Sequence, residues 1–314
     1  MTTRPSPAPT AIVFAYHDVG VRCLSVLLAH GVRVLRVVTH ADDPGENIWF
    51  GSVAGLARLH GIPAIAPDDP NIPDVLAELT GLRPDYLFSF YYRRMLKPEL
   101  LSIARRGAYN MHGSLLPKYR GRAPVNWAVL HGERETGATL HEMVAKPDAG
   151  RIVGQQRVPI LPDDTAGEVM SKVTCAAEIT LERCLPALLG GQNPGAEQDL
   201  SAGSYFGGRR PEDGRIDWSA NAADIHNLIR AVAPPFPGAF SDTRAGRLYF
   251  LRSLHPTDAV GAHPRPALFA DGNLLHAQCG DRRLLRLVAV ESAGRAIDAA
   301  NLATVADGPL LFLT

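Results

Sequence analysis

The sequence predicts an α/β protein: a domain built on a mostly parallel sheet, followed by a smaller β-rich domain. Three observations carry that expectation. From Ala11 onward, short β-branched runs alternate with helical patterns, as βαβ crossovers and parallel strands require. After the Pro-rich "APPFPGAF" the apolar runs are short and separated by Gly-containing turns, which reads as a small β-rich unit. At 314 residues the chain also exceeds the roughly 250 residues beyond which one core rarely grows.

The elements follow in order. "AIVFAY" is a strand, Val21 to Ala29 a helix, "VRVLRVV" a strand, "SVAGLARL" the centre of a helix and "DYLFSF" a strand. "GAYNMH" is a further strand, bounded by Gly107 and Gly113, and "PVNWAVLHG" is a helix with Pro124 at its start and Gly132 at its end. The stretch "NMHGSLLPKYRGRAP" is therefore a strand-to-helix loop, at the carboxyl end of a strand where open parallel sheets form their ligand crevice. "GATLHEMV" and "RIVGQQRVPI" are extended runs joined by the turn-like "AKPDAG", and a long helix covers about Thr165 to Leu189. The turn-rich "SAGSYFGGRRPEDGRIDW" is a connector, "ADIHNLIRAV" a helix, and "RLYFL", "PALFA" and "LLRLVAV" are strands of the last unit. The expected organisation is a disordered tail over 1–10, a catalytic domain over 11–195, a connector over 196–218 and a β-rich domain over 219–314.

Composition narrows the function classes. No apolar run approaches the roughly 20 residues of a membrane span, and the start, "MTTRPSPAPT", has no apolar segment of the signal-peptide kind. A cytoplasmic protein without membrane insertion is expected. Lys plus Arg equals Asp plus Glu at 32 each, so no overall positive field gathers a nucleic acid. Cys23, Cys175, Cys184 and Cys279 show no C-x-x-C pair, so neither a disulfide nor a metal site is expected. "HEMVA" begins like a zinc motif but has Ala145 where the second His belongs. The first strand-to-helix turn, "AYHDVG", lacks G-x-G-x-x-G, and there is no Walker A loop or G-x-S-x-G elbow.

Asn110 and His112 sit two apart on a strand, so both point to one side. An Asn N–H suits an oxygen that gains negative charge, and an imidazole moves a proton near neutral pH. That pair fits acyl transfer to an amine. The plainer reading is an Asn that ends a strand and a His that satisfies a nearby backbone carbonyl. Asp148, in "AKPDAG", is either ordinary turn chemistry or an anion that orients an imidazole. Lys118 and Arg120 read as solvated loop cations. Tyr91 and Tyr92 either contact a flat ligand or close a buried strand end.

Together, "NMHGSLLPKYRGRAPVNWAVLHGERETGATLHEMVAKPDAG" resembles the core of the 10-formyltetrahydrofolate-dependent formyltransferases. Asn-x-His followed by Gly-Ser-Leu-Leu-Pro, with a downstream Asp-x-Gly, carries the resemblance. "FAYHDVG", "DDPGENIWFGSVAGLA", "FSFYYR", "YFGGRRPEDGRIDW" and "NLIRAVAPPFPGAF" extend it over nearly the whole chain after the tail. Within the family the chain most resembles the formyltransferase domain of bifunctional polymyxin-resistance enzymes, which act on UDP-4-amino-4-deoxy-L-arabinose. The resemblance implies a Rossmann-like domain, a small OB- or barrel-like C-terminal domain, and 10-formyltetrahydrofolate as co-substrate without a metal. It implies that Asn110 holds the formyl oxygen, His112 is the acid/base and Asp148 raises the pKa of His112. It places the folate against Arg94, Met95 and Leu96, with Arg122 and Val144, Ala145, Lys146, Pro147 and Asp148 completing the site. The implied partner is a small nucleotide-sugar acceptor, and lipid A modification and antibiotic resistance the setting. Because the chain ends at Thr314, a stand-alone formyltransferase without the relative's decarboxylase domain is expected. Alternatives are another amino-sugar nucleotide or methionyl-tRNA as acceptor, hydrolysis of the formyl donor, and a non-catalytic folate or nucleotide-sugar binder.

Overall fold

Ala-Ile-Val-Phe-Ala, residues 11 to 15, contains no polar side chain, and all five are fully buried; only a strand covered on both faces supports such a run. It forms most of β1 (Thr10–Ala15), the centre of the first sheet in the computed structural model, which describes residues 8–193, 195–244 and 246–313. Most of the tail expected over 1–10, residues 1–7, lies outside the described residues.

After β1 come α1 (His17–Ala29), β2 (Arg33–Val38), α2 (Val53–Leu59), β3 (Ala64–Ile65), α3 (Pro73–Gly81), β4 (Tyr86–Phe90), α4 (Pro98–Leu101) and β5 (Gly107–His112). Then follow β6 (Arg120–Gly121), α5 (Pro124–Leu130), β7 (Glu135–Glu142), β8 (Ile152–Pro159), α6 (Ala166–Leu189) and β9 (Tyr205–Phe206). The remainder is α7 (Ala222–Val232), β10 (Ala239–Thr243), β11 (Gly246–Ser253), β12 (Ala267–Asp271), β13 (Leu274–Gln278), β14 (Leu284–Ser292), β15 (Arg295–Ile297), α8 (Leu302–Val305) and β16 (Leu310–Phe312).

The chain divides into two compact units. The first comprises Met1–Gly121, Thr136–Val158 and Lys172–Tyr205; the second comprises Arg122–Glu135, Pro159–Ser171 and Phe206–Thr314. In the first, the sheet order is β3-β2-β1-β4-β5-β7-β8. Strands β1 to β5 pair in parallel and β7 runs antiparallel to β5, so the sheet is mostly parallel as expected. One of its cores joins Ile12, Phe14, Leu87 and Ala108 to Leu79, Leu96 and Leu100. Helix α1 starts at His17, four residues before the predicted start. A Cβ at Gly20 would lie 2.9 Å from Val53 Cγ2 and 3.1 Å from Ala15 Cβ, so close packing explains the glycine inside the helix. Helix α3 was not foreseen; Leu79 is its single buried residue, too little apolar stripe to show a period.

In the second unit β10-β11-β14-β13-β12-β16 form an antiparallel sheet, with β15 on β14. Trp218 packs edge-on against Phe250 at 5.0 Å, within a core that includes Leu248, Leu268, Ile225 and Ile229. Asn221 caps α7 by accepting from the Asp224 N–H, an arrangement worth about 1 kcal/mol. His226, on the buried face of α7, meets Ser253 Oγ at Nδ1 (2.8 Å) and the Pro162 carbonyl at Nε2 (2.9 Å). Among the described residues no helix is long and apolar enough to cross a membrane.

Candidate active site

Strand β5 ends at His112, and the chain turns away at Gly113. Asn110 is half-buried and His112 buried at 6% exposure. The neighbouring strand β7 pairs Asn110 with His141 and His112 with Thr139. The loop after β7 brings Asp148 back to the same place. Its Oδ1 lies 3.7 Å from His112 Nδ1 and 3.5 Å from His141 Nε2, and its Oδ2 accepts the Gly121 N–H at 2.9 Å. The three residues singled out from the sequence therefore meet, within the first unit.

Backbone geometry holds the loop in place. Asp148 has φ +52°, a left-handed conformation that short polar side chains tolerate better than most. Gly150, two residues on, has its backbone against the Glu142 carbonyl: a Cβ there would fall 2.1 Å from that oxygen. This gives Asp-x-Gly a physical meaning, since any larger residue pushes the loop off β7. From the other side Gln198 Nε2 donates to the carbonyls of Asp148 (3.0 Å) and Gly150 (2.5 Å).

Electrostatics follow from this packing. Burial pushes the Asp148 carboxyl up, but the imidazoles of His112 and His141 beside it and the Gly121 N–H that it accepts outweigh this and hold the group well below the usual carboxylate range. Asp148 is therefore an anion at neutral pH. His112 donates from Nε2 to the Tyr119 carbonyl at 2.8 Å, so the plain reading of that histidine holds for one nitrogen. The other, Nδ1, is not engaged by a backbone carbonyl and faces the Asp148 carboxylate at 3.7 Å.

The remaining residues fall in several places. Leu96 is buried at 7% and belongs to the core, so only its backbone is available to a ligand. Arg94 and Met95 are exposed, and the Met95 carbonyl accepts from Asn71 Nδ2 at 2.9 Å. Val144, Ala145 and Lys146 are exposed, Pro147 half-buried, and Met143 before them packs on the core cluster that contains Leu96. Arg122 belongs to the second unit, where its N–H donates to the Phe206 carbonyl at 3.0 Å. Arg120 is not a solvated loop cation: it is buried, its N–H on the Ser204 carbonyl at 3.0 Å. Tyr92 stacks on His40 at 4.2 Å and meets Phe14 edge-on, which makes this strand end a packed one. A separate cleft of about 270 Å³ lies at the ends of β1 to β3, lined by Tyr16, Thr39, His40, Asp42 and Ser52 among others; none of the three residues lines it. Among the described residues, no group of three His, Cys, Asp or Glu is placed to hold a metal ion.

The arrangement offers an amide donor, an imidazole with one nitrogen not engaged by a backbone carbonyl and an anion beside it, a set suited to transfer of an acyl group to an amine. Comparison with known proteins agrees with that chemistry. The family model described as formyl transferase matches residues 29–185, and that of the formyl transferase C-terminal domain matches 209–306. The chain belongs to the formyltransferase family. Among solved structures it is similar to the N-formyltransferase from Helicobacter canadensis in complex with folinic acid and dTDP-3-aminofucose: TM-score 0.69, 20% identity, covering 89% of this chain and 98% of that one. A sugar N-formyltransferase from a Shewanella species gives TM-score 0.62 and 19% identity, over 79% of this chain and 98% of that one. HypX from Aquifex aeolicus gives 0.63 and 16%, over 95% of this chain and 47% of that one. At these identities the likeness is one of fold.

His141 was missed as a functional candidate. The sequence showed it only as the head of a failed zinc motif, and its proximity to Asn110 arises from antiparallel pairing of β5 with β7.

Proposed function

We propose that this formyltransferase moves a formyl group from 10-formyltetrahydrofolate to the amine of a nucleotide-linked amino sugar, and that the sugar is 4-amino-4-deoxy-L-arabinose on UDP. The observation that carries the reaction is the meeting of Asn110, His112 and Asp148 at the end of β5. The amino-sugar class is supported by the sugar N-formyltransferases among the structural relatives. The specific sugar rests on the sequence resemblance.

The neutral amine attacks the formyl carbon, and a C–N bond forms as the carbonyl electrons move to oxygen. The Asn110 N–H stabilises that oxyanion. His112 takes the amine proton at Nδ1, the nitrogen not engaged by a backbone carbonyl, and Asp148 offsets the positive charge that results. The proton then passes to the folate nitrogen as its bond to the formyl carbon breaks. We assign the folate to Arg94, Met95, Leu96 and the Val144 to Asp148 loop, all within the first unit, with backbone groups serving at Leu96. With this acceptor the enzyme acts in the cytoplasm, in lipid A modification and polymyxin resistance. A different acceptor is the second reading, favoured by the dTDP-3-aminofucose of the Helicobacter relative.

Mass spectrometry of reactions with 10-formyltetrahydrofolate tests both. A formyl mass gain on UDP-4-amino-4-deoxy-L-arabinose, and not on dTDP-linked amino sugars or charged initiator tRNA, is the expected result. A gain confined to another acceptor would overturn the assigned sugar, and no gain on any would overturn the proposed transfer.

A further inference from the structure

We infer that His141 is a positioning residue for the transfer: it anchors the Asn110 carboxamide so that an N–H, rather than the carbonyl, faces the developing oxyanion. This rests on the proposed formyl transfer and adds a residue that acts through Asn110.

The hydrogen bonds fix the roles of both ring nitrogens of His141. His141 Nδ1 lies 2.7 Å from the Glu142 carbonyl; a carbonyl only accepts, so Nδ1 carries the proton. Nε2 lies 3.0 Å from Asn110 Nδ2; an amide nitrogen only donates, so Nε2 offers its lone pair. The same Nε2 lies 3.5 Å from Asp148 Oδ1, but donation to Asp148 would need a proton where the amide contact needs a lone pair. The amide contact is the shorter by half an ångström and matches the tautomer that the Glu142 carbonyl selects.

The consequence for Asn110 is directional. A carboxamide presents a donor on one side and an acceptor on the other, and the two orientations differ by a flip of about 180° at little intrinsic cost. With one N–H on His141, the second N–H of the same nitrogen remains for the formyl oxygen. Without that anchor, the amide is free to turn its own oxygen toward the oxyanion, where it repels. His141 can serve as an anchor because it is itself fixed. It is 2% exposed, it stands opposite Asn110 in the β5–β7 register, and the Glu142 carbonyl that orients its ring is packed under Gly150.

The test combines kinetics and spectroscopy. In His141→Ala, kcat should fall roughly 10- to 100-fold, the scale of a displaced catalytic group, with KM for donor and acceptor little changed. The double variant with Asn110→Ala should be no slower than Asn110→Ala alone, since a residue that acts through Asn110 has nothing left to act on. His141→Gln, whose side-chain oxygen can accept the same N–H, should recover part of the loss. Multiplicative losses in the double variant, or a raised KM with kcat preserved, would overturn the inference. Independently of turnover, 15N NMR of the His141 ring should show the proton on Nδ1 and a bare Nε2; a protonated Nε2 would overturn the anchoring. A wild-type enzyme that formylates no amino-sugar nucleotide would instead overturn the functional reading, while the NMR result still decides the anchor.

Discussion

His226 in the second unit and His112 in the first are both buried, at 1% and 6% exposure, yet their nitrogens meet different partners. His226 has a hydroxyl on one nitrogen and a backbone carbonyl on the other. Burial pushes its pKa down to about 4, so it is a neutral pin between α7, β11 and the residues before α6. His112 has a carbonyl on Nε2 only, and its Nδ1 faces an anion 3.7 Å away. Burial depth does not distinguish a structural histidine from the one to which we assign proton transfer. The distinction lies in a nitrogen left without a hydrogen bond and in a carboxylate placed to receive the charge.

Substitutions should separate the two regions. The largest effects belong to the first unit: His112→Ala should lose roughly 100- to 10000-fold in kcat, the range for a proton-transfer group. Asn110→Ala should lose roughly 100- to 1000-fold, the range for an oxyanion donor. Asp148→Asn keeps the shape and the Gly121 hydrogen bond but removes the charge, and a loss on the order of 100-fold is expected. Steady-state release of tetrahydrofolate checks all three, and a fully active variant among them would erase the contrast. Gly150→Ala tests the scaffold rather than the chemistry: the loop must move off the Glu142 carbonyl, with a loss of roughly 10- to 100-fold.

The second unit should respond in stability instead. His226→Ala leaves the Ser253 hydroxyl and the Pro162 carbonyl without their partner, and should cost about 2 to 4 kcal/mol in urea unfolding. Its kcat per folded molecule should match wild type. Stability should also depend on pH, gradually rather than as the loss of one contact. His226 and His17 are both pushed down to about 4 by burial, while an unfolded chain takes up these protons near pH 6.5. Stability should therefore be constant above about 6.5 and fall as pH drops toward 4, by up to about 3 kcal/mol for each group. Removing His226 should make that slope shallower. A slope of opposite sign would mean that these imidazoles carry charge in the folded state.

How much of this was legible in the sequence depends on how far apart the interacting residues lie. Strand β5 was readable to the residue because Gly107 and Gly113 bound it, and period-two geometry put Asn110 and His112 on one side. Asp148 read either as turn chemistry or as an anion beside an imidazole, and only the resemblance put it next to His112, since no periodicity places a loop residue beside a strand 36 positions earlier. His141 and Gln198 escaped notice because their partners depend on strand pairing and loop return, across 31 and 50 residues. Arg120 was misread because a basic loop residue gives no sign that a distant carbonyl, that of Ser204, will cover it. The β-rich unit was visible in outline; β13, β15 and β16 are too short or too mixed to register as periodic runs.

The most direct test is acceptor-dependent tetrahydrofolate release, measured per folded molecule, in His112→Ala and His226→Ala side by side. The account predicts that His112→Ala loses turnover at least about 100-fold while His226→Ala retains it. Equal loss in both, or full turnover in His112→Ala, would contradict the assignment of catalysis to the end of β5.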